Sequence, residues 1–249
     1  IRNINGTGKV SRARNSKENL FMLLTSNIKI TWEVTPNSVL TRAWNRFLRD
    51  IKMTLNQSDL QPECRIQVGL SSLLPAESYR IDGQSLSVRG GDALGIIYAL
   101  LHISERYLGI TPFWFWNDTT FQRRDSVSIP EETYGSPEYP VRFRGWFIND
   151  EVLLDAWGKD VQKGDITENF AFEMAMEACL RLGGNMVIPG TDHNSHKYFA
   201  LAADMGLWVT HHHAEPLGAQ MFARAYPRLT PSYRQYPELF EGLWRAAIE

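Results

Sequence analysis

Two groups of polar side chains in the second half of the chain could take part in acid and base chemistry, and each follows an apolar stretch. The first group is Asn149, Asp150 and Glu151, and the second runs from His211 to Glu215. Hydrolysis of a glycosidic bond needs two carboxyl groups, because one protonates the leaving oxygen while the other attacks or activates water. Asp150, Glu151 and Glu215 are therefore the candidate acids.

The first two acids also have a structural interpretation. Asp150 and Glu151 are neighbours at the end of a predicted strand, so their side chains should point to opposite sides and only one should face a site. Either acid could instead cap the following segment or pair with Arg142 or Arg144. Two acids directly after a strongly apolar strand rarely serve its packing, which favours a functional role.

The histidine run 211–213 leaves three interpretations open. Its imidazoles could bind sugar hydroxyls, form a satisfied polar patch, or ligate a metal through His211 and His213, which share a face if strand alternation continues. Further metal ligands on the preceding loop would be Asp192, His193 and His196. No fixed zinc spacing is present, so we predict no metal or other cofactor and keep a metal-dependent barrel hydrolase as an alternative.

Strands and helices alternate in this half of the chain. Strands are predicted at 141–148, 185–188 and 207–210, and helices from about Thr167, over 196–205 and from Pro237. In a parallel (β/α) barrel the active site lies at the carboxyl ends of the strands, so the polar groups would converge on one mouth. A complete barrel takes about 250 residues, and we therefore expect only its first strands here.

The first half predicts a small α/β domain that leads into the barrel. Its elements are a strand at 27–34, an amphipathic helix from Ser38, a strand at 65–70, a hairpin over 77–88 and a helix from Asp92 to Gly109. The aromatic segment 112–118 could plug a domain interface or stack against a sugar ring. We predict domains at 1–118 and 141–249, with 119–140 as linker.

Composition excludes several classes of partner. The net charge of −2 and the pI of about 6.4 give no reason to expect nucleic acid or an anionic membrane as partner. Cys64 and Cys179 lie far apart, so a disulfide framework is not implied. A small or neutral partner fits this chain best, at a secreted or periplasmic location.

Ordered sequence blocks in both halves resemble glycoside hydrolase family 115, the xylan α-glucuronidases. In the first half the blocks are 79–81, 88–92, 95–99, 103–105 and 109–118, and in the second half they are 144–151, 181–185, 203–206 and 212–216. Family 67 α-glucuronidases and family 20 hexosaminidases share the lead-in domain, so the histidine and glutamate block is what favours family 115. The resemblance implies a hexosaminidase-like α/β lead-in domain followed by the first strands of a TIM (β/α) barrel.

That resemblance also implies an activity and site residues. The implied enzyme removes glucuronic or 4-O-methylglucuronic acid from glucuronoxylan with inversion, uses no cofactor and forms a homodimer. Asp150 would be the base that activates water, with Glu215 as the second catalytic candidate. The residues implied to bind substrate are Asn149, Glu151, Asn185, His212 and His213.

The chain departs from the family pattern after the second strand, where Val187-Ile188-Pro189-Gly190 stands in place of the family's Trp-Pro-Ala, and in the histidine and glutamate block. Ala214 is inserted in a block that usually reads His-His-Glu-Pro-Met, and Leu217 replaces its methionine. The general acid is expected on a later strand, so the 249 residues alone should be inactive. A non-catalytic carbohydrate-binding or structural fragment is the third hypothesis.

Overall fold

The computed structural model describes residues 21–58, 60–149, 151–162 and 170–249, and it gives only the backbone for Glu151, Gln162 and residues 192–194. The elements of the first half are β1 (Phe21–Thr25), β2 (Ile28–Trp32), α1 (Ser38–Thr54), β3 (Cys64–Leu70), β4 (Tyr79–Asp82), β5 (Ser87–Gly90), α2 (Ala93–Ile103), β6 (Ser126–Pro130) and β7 (Thr133–Gly135). The second half contains β8 (Gly145–Phe147), α3 (Glu151–Gln162), α4 (Phe170–Arg181), β9 (Met186–Ile188), α5 (Asp192–Asp204), β10 (Trp208–Val209), α6 (Phe222–Ala225) and α7 (Pro237–Ile248).

A five-stranded mixed sheet forms the first half, in the order β2-β3-β5-β4-β7. The predicted helices begin at the expected caps, because the Asn37 side chain accepts a hydrogen bond from the Leu40 amide at 3.0 Å and the Asp92 side chain accepts one from the Gly95 amide at 2.8 Å. The predicted hairpin is the antiparallel pair β4 and β5. The mixed α/β fold class is thereby confirmed.

The segment 119–140, expected to be a linker, carries two strands of the first half. β6 pairs antiparallel with β1, and β7 pairs antiparallel with β4 at the edge of the large sheet. Ile129 is fully buried in the core of the first half. The segment is therefore built into the lead-in fold, because strand pairing satisfies its backbone polar groups.

A second sheet contains three parallel strands in the order β10-β9-β8. The row formed by Trp146, Val187 and Val209 packs against the helical core, and alternation turns the neighbouring rows to the opposite face. Trp208 lies on that opposite face and is 58% exposed. The strands have the predicted order and direction but are shorter than expected.

The chain after β8 differs from its prediction. Helix α3 begins at Glu151, whereas the sequence suggested that Asp150 and Glu151 continue a strand and that the next helix begins near Thr167. Asp150 and residues 163–169 lie outside the described residues. The expected strand alternation therefore does not extend to Glu151, because its backbone is helical.

Buried charges join the two halves of the chain where α1 meets α4. The Glu177 carboxylate lies 2.7 Å from the Arg49 guanidinium and 2.9 Å from the Arg181 Nε atom. Asp50 is fully buried and pairs with Arg181 at 2.5 Å. Burial alone would raise the pKa of Glu177, but the charges of Arg49 and Arg181 hold it well below its usual range. Arg46 completes the group, which we call the buried ion cluster.

No helix in the described part of the chain combines the length and the apolar character needed to cross a bilayer.

Candidate active site at the carboxyl ends of the parallel strands

The carboxyl ends of the three parallel strands lie together, as predicted. The Ile148 amide donates to the Ile188 carbonyl at 2.9 Å, and the Thr210 amide donates to the Val187 carbonyl at 3.0 Å. The Phe147 ring, at the end of β8, lies 5.3 Å from the His212 ring, which follows β10. This contact brings the first and third polar strand ends to one edge, which we call the mouth.

A tight turn over residues 212–215 supplies the polar groups beside Phe147. The Glu215 amide donates to the His212 carbonyl at 2.9 Å, and the Ala214 amide donates to His212 Nδ1 at 3.3 Å. The rings of His212 and His213 have centroids 3.9 Å apart. The turn therefore fixes His212 with one ring nitrogen already occupied.

The Glu215 carboxylate lies beneath this turn and is only 1% exposed. Both of its oxygens are 3.5 Å from Ser195 Oγ, and Oε1 is 3.5 Å from His196 Nε2. The His196 side chain is 46% exposed and stacks against Phe199. Glu215 thus joins the turn to helix α5, and its two partners in α5 were not assigned this role from the sequence.

The metal alternative gains no support from the described side chains. Strand alternation suggested that His211 and His213 share a face, but β10 ends at Val209 and His213 packs against His212 instead. The His211 ring contacts Phe199 at 5.2 Å. Where side chains are described, no three His, Cys, Asp or Glu residues form a group able to hold a metal ion. The side chains of Asp192 and His193 lie outside the description.

The predicted residues of the first strand end are only partly described. Asn149 is exposed and follows the buried Ile148. Asp150 lies outside the described residues, and so does the side chain of Glu151. Their predicted contributions to catalysis and binding therefore remain predictions.

Asn185 lies at the amino end of β9, away from the mouth where the sequence suggested it would be. It is fully buried, and its Nδ2 donates to Glu77 Oε1 at 2.8 Å and to the Arg142 carbonyl at 2.7 Å. Its Oδ1 accepts from the Arg144 amide at 2.8 Å, and Arg144 itself pairs with Glu77 at 2.5 Å. Asn185 therefore connects the lead-in domain to the second sheet, because the residue before a parallel strand lies at the edge opposite its carboxyl end.

A cavity of about 870 Å³ lies at the same amino-end edge. Glu77, Arg144 and Trp208 are among its lining residues. It lies on the side of the sheet opposite the mouth, so its size does not make it the candidate active site.

The aromatic segment after α2 packs against the second half of the chain. Phe115 contacts Trp157 at 5.1 Å and Phe170 at 4.9 Å, and Trp116 stacks on Trp157 at 5.6 Å. Trp114 Nε1 donates to the buried ion cluster at Glu177, at 3.2 Å. These contacts support the interpretation of the segment as an interface plug.

Solved structures of known proteins are similar to this chain in fold. A structure of a family GH115 4-O-methyl-α-glucuronidase with specificity for decorated arabinogalactans superimposes with a TM-score of 0.70 at 20% identity, covering 91% of this chain and 34% of that chain. A family 20 β-N-acetylglucosaminidase gives a TM-score of 0.50 at 13% identity, covering 89% of this chain and 46% of that one. Both are similar in fold, and this chain spans about a third of the length of the first. A search of curated protein sequences found no match.

The chain thus shares its fold with parts of these two glycoside hydrolases. In sequence, residues 136–249 match the model of glycosyl hydrolase family 115. The resemblance to family 115 inferred from the sequence is therefore confirmed. The matched residues contain the mouth and the three parallel strands of the second sheet, β8, β9 and β10.

Proposed function

We propose that this protein is a glycoside hydrolase of the α-glucuronidase type, which removes glucuronic or 4-O-methylglucuronic acid from glucuronoxylan or a related polysaccharide. The observation that carries the proposal is the family 115 match over the segment that forms the mouth. The 4-O-methyl-α-glucuronidase of similar fold supports it. Such a substrate agrees with action outside the cytoplasm and with a carbohydrate as the partner.

The proposal includes a complete (β/α) barrel. Sheets made only of parallel strands are normally covered on both faces. In the described residues, helices cover one face, whereas Trp208 on the other face is 58% exposed, and β8 and β10 each pair on one side only. Further strands from the same protein would cover that face and supply the general acid, so the 249-residue chain alone would be inactive.

Asp150 is the proposed catalytic base, because it follows the first strand and stands in the block that resembles the family. An inverting enzyme holds its two carboxyl groups roughly 6.5–9.5 Å apart, which leaves room for the attacking water. His212, whose ring contacts Phe147, and His213, whose ring contacts His212, are proposed to bind sugar oxygens. Asn149 and Glu151 are proposed to line the same edge.

Release of uronic acid from glucuronoxylan by the complete protein tests the proposal. Asp150→Asn should lower kcat by about 100-fold or more, since general base catalysis contributes at least that factor. Glu131→Gln is the matched control, because Glu131 is an exposed acid in the turn between β6 and β7. Equal release by both variants would contradict the role of Asp150, and a product that retains its anomeric configuration would contradict inversion.

Two measurements test the remaining parts of the proposal. Sedimentation of the complete protein tests the homodimer that the family resemblance implies. A panel of neutral and acidic substrates tests the sugar, since release of neutral sugars alone would exclude an α-glucuronidase.

A further inference from the structure

The turn over residues 212–215 determines which nitrogen of His212 carries a proton. A neutral imidazole has one ring nitrogen that donates and one that accepts. Because the Ala214 amide donates to Nδ1 at 3.3 Å, Nδ1 is the acceptor. The proton of neutral His212 therefore lies on Nε2, which is left as a hydrogen-bond donor at the mouth.

The turn lies in a loop after a strand of only two residues, so contacts outside that strand must hold it in place. Glu215 provides the contact with a helix, through Ser195 Oγ and His196 Nε2 at 3.5 Å. Ser195 is fully buried and lies in α5. A carboxylate held between two groups of a packed helix fixes the end of the turn.

We propose that Glu215 is a positioning residue, and that with Ser195 and His196 it holds the turn so that His212 presents an Nε2–H donor to a sugar oxygen. The inference rests on the proposed function, since it assigns the sugar-binding geometry of the same mouth. It revises the sequence prediction that Glu215 is catalytic. A carboxyl group that is 1% exposed and bound to α5 does not reach a substrate at the mouth without leaving both partners.

The inserted Ala214 takes part in this arrangement. Its amide is the group that occupies His212 Nδ1. This hydrogen bond comes from the backbone, so it depends on the turn and not on the alanine side chain.

Long-range proton–nitrogen NMR spectra of the complete protein with labelled histidine test the proposal. His212 should show an unprotonated Nδ1 and a protonated Nε2, and its signals are assigned by their loss in His212→Gln. Glu215→Ala should mix the two tautomers, whereas Glu215→Gln should keep the native pattern because its amide can still bond to Ser195. Native signals of His212 in Glu215→Ala would overturn the inference.

The protein contains an internal control. His102 Nδ1 lies 3.1 Å from the Tyr79 hydroxyl in the lead-in domain, so its signals should not change in any of these variants. If Glu215→Ala also alters the His102 signals, the variant is misfolded and Ser195→Ala decides instead. Unchanged His212 signals in a folded Ser195→Ala variant would then overturn the inference.

Kinetics distinguish a positioning residue from a catalytic acid. Glu215→Gln should lower kcat/KM for uronic acid release by no more than about tenfold, mainly through KM, and should keep both limbs of the pH profile. Loss of one limb would show that Glu215 exchanges a proton with the substrate, and would refute the positioning role. If the wild type releases no uronic acid, the proposed function fails, while the NMR result still decides the role of Glu215.

Discussion

Replacing Glu177 by glutamine should destabilise the protein more than any change of a surface acid. The carboxylate of Glu177 is buried and faces three arginines, namely Arg46, Arg49 and Arg181. Asp50 is the second acid of the buried ion cluster, so two negative charges face three positive ones. The substitution keeps the shape of the side chain and leaves Asp50 alone against three guanidinium groups.

The size of the effect follows from burial. Removing one partner of a buried ion pair costs about 3–5 kcal/mol, because the buried charges that remain are no longer fully compensated. In a domain of this size 1 kcal/mol corresponds to roughly 2–4 °C, so Tm should fall by about 6–20 °C. That loss is a large part of a typical free energy of unfolding of about 5–15 kcal/mol.

Thermal and urea unfolding followed by circular dichroism measure the loss. Glu173→Gln is the matched control, because Glu173 lies one turn earlier on α4 and pairs with Arg42 at 3.0 Å where both side chains are about a third exposed. Exposed pairs contribute about 0–1 kcal/mol. Equal stability losses in the two variants would refute the reasoning that burial decides the cost.

The pH dependence provides a second check on Glu177. Burial raises the pKa of Glu177, but the arginines lower it by a larger amount, so the folded-state pKa lies below the ordinary 4.5. A depressed pKa adds stability that is present above pH 4.5 and is lost as the pH falls below that value. The stability difference between the wild type and Glu177→Gln should therefore shrink below about pH 4.5.

Two further predictions concern buried groups. Asn185→Ala should cost about 1–3 kcal/mol in urea unfolding, because it leaves the Arg144 amide without its acceptor and removes the hydrogen bonds to Glu77 and to the Arg142 carbonyl. It should leave KM unchanged because Asn185 lies away from the mouth, and a raised KM with unchanged stability would contradict this. Burial raises the pKa of the Cys64 and Cys179 thiols to about 11, so a thiol reagent at pH 8 should label neither in the native protein and both after denaturation, whereas fast native labelling would contradict their burial.

Local residue patterns predicted α1, α2 and the strands β2 to β5 of the first half, because the pattern within each element indicates its buried side. In α1, the spacing of Leu40, Phe47 and Ile51 predicts the buried face, and all three are buried. β6 and β7 were missed because their strand character depends on partners more than fifty residues away in β1 and β4. A sequence read locally cannot show such pairing.

The second sheet shows why strand lengths were overestimated. Residues from Val141 have strand-like composition, but regular strand pairing begins only at Gly145. Just before it, the Arg144 carbonyl accepts from the Met186 amide of β9, whereas the Arg144 amide donates to the side-chain atom Asn185 Oδ1. Helix α3 was also absent from the sequence prediction. It contains Gly158, an unfavourable helix residue, yet a Cβ there would lie 2.7 Å from Ala171, so the close approach of α3 and α4 requires the glycine.

At the candidate site, the residue types indicated which strand ends could form a site, but they did not indicate how deeply each side chain is buried. His212 and Glu215 are three residues apart, yet one faces the mouth and the other lies beneath it against Ser195. That separation depends on the turn and on α5, neither of which a spacing rule contains. Glu215 is the residue for which the structure changes the sequence interpretation most.

The contacts between the two halves explain why the lead-in domain accompanies the sheet. The buried ion cluster joins α1 to α4, and Glu77 joins Arg144 and Asn185 at the amino ends of the strands. Neither contact reaches the carboxyl ends, so both support the sheet away from the mouth. A protein that begins at β8 would lack Arg46 and Arg49, which pair with Glu177, and Glu77, which pairs with Asn185. We therefore expect the parallel sheet to fold only with its lead-in domain.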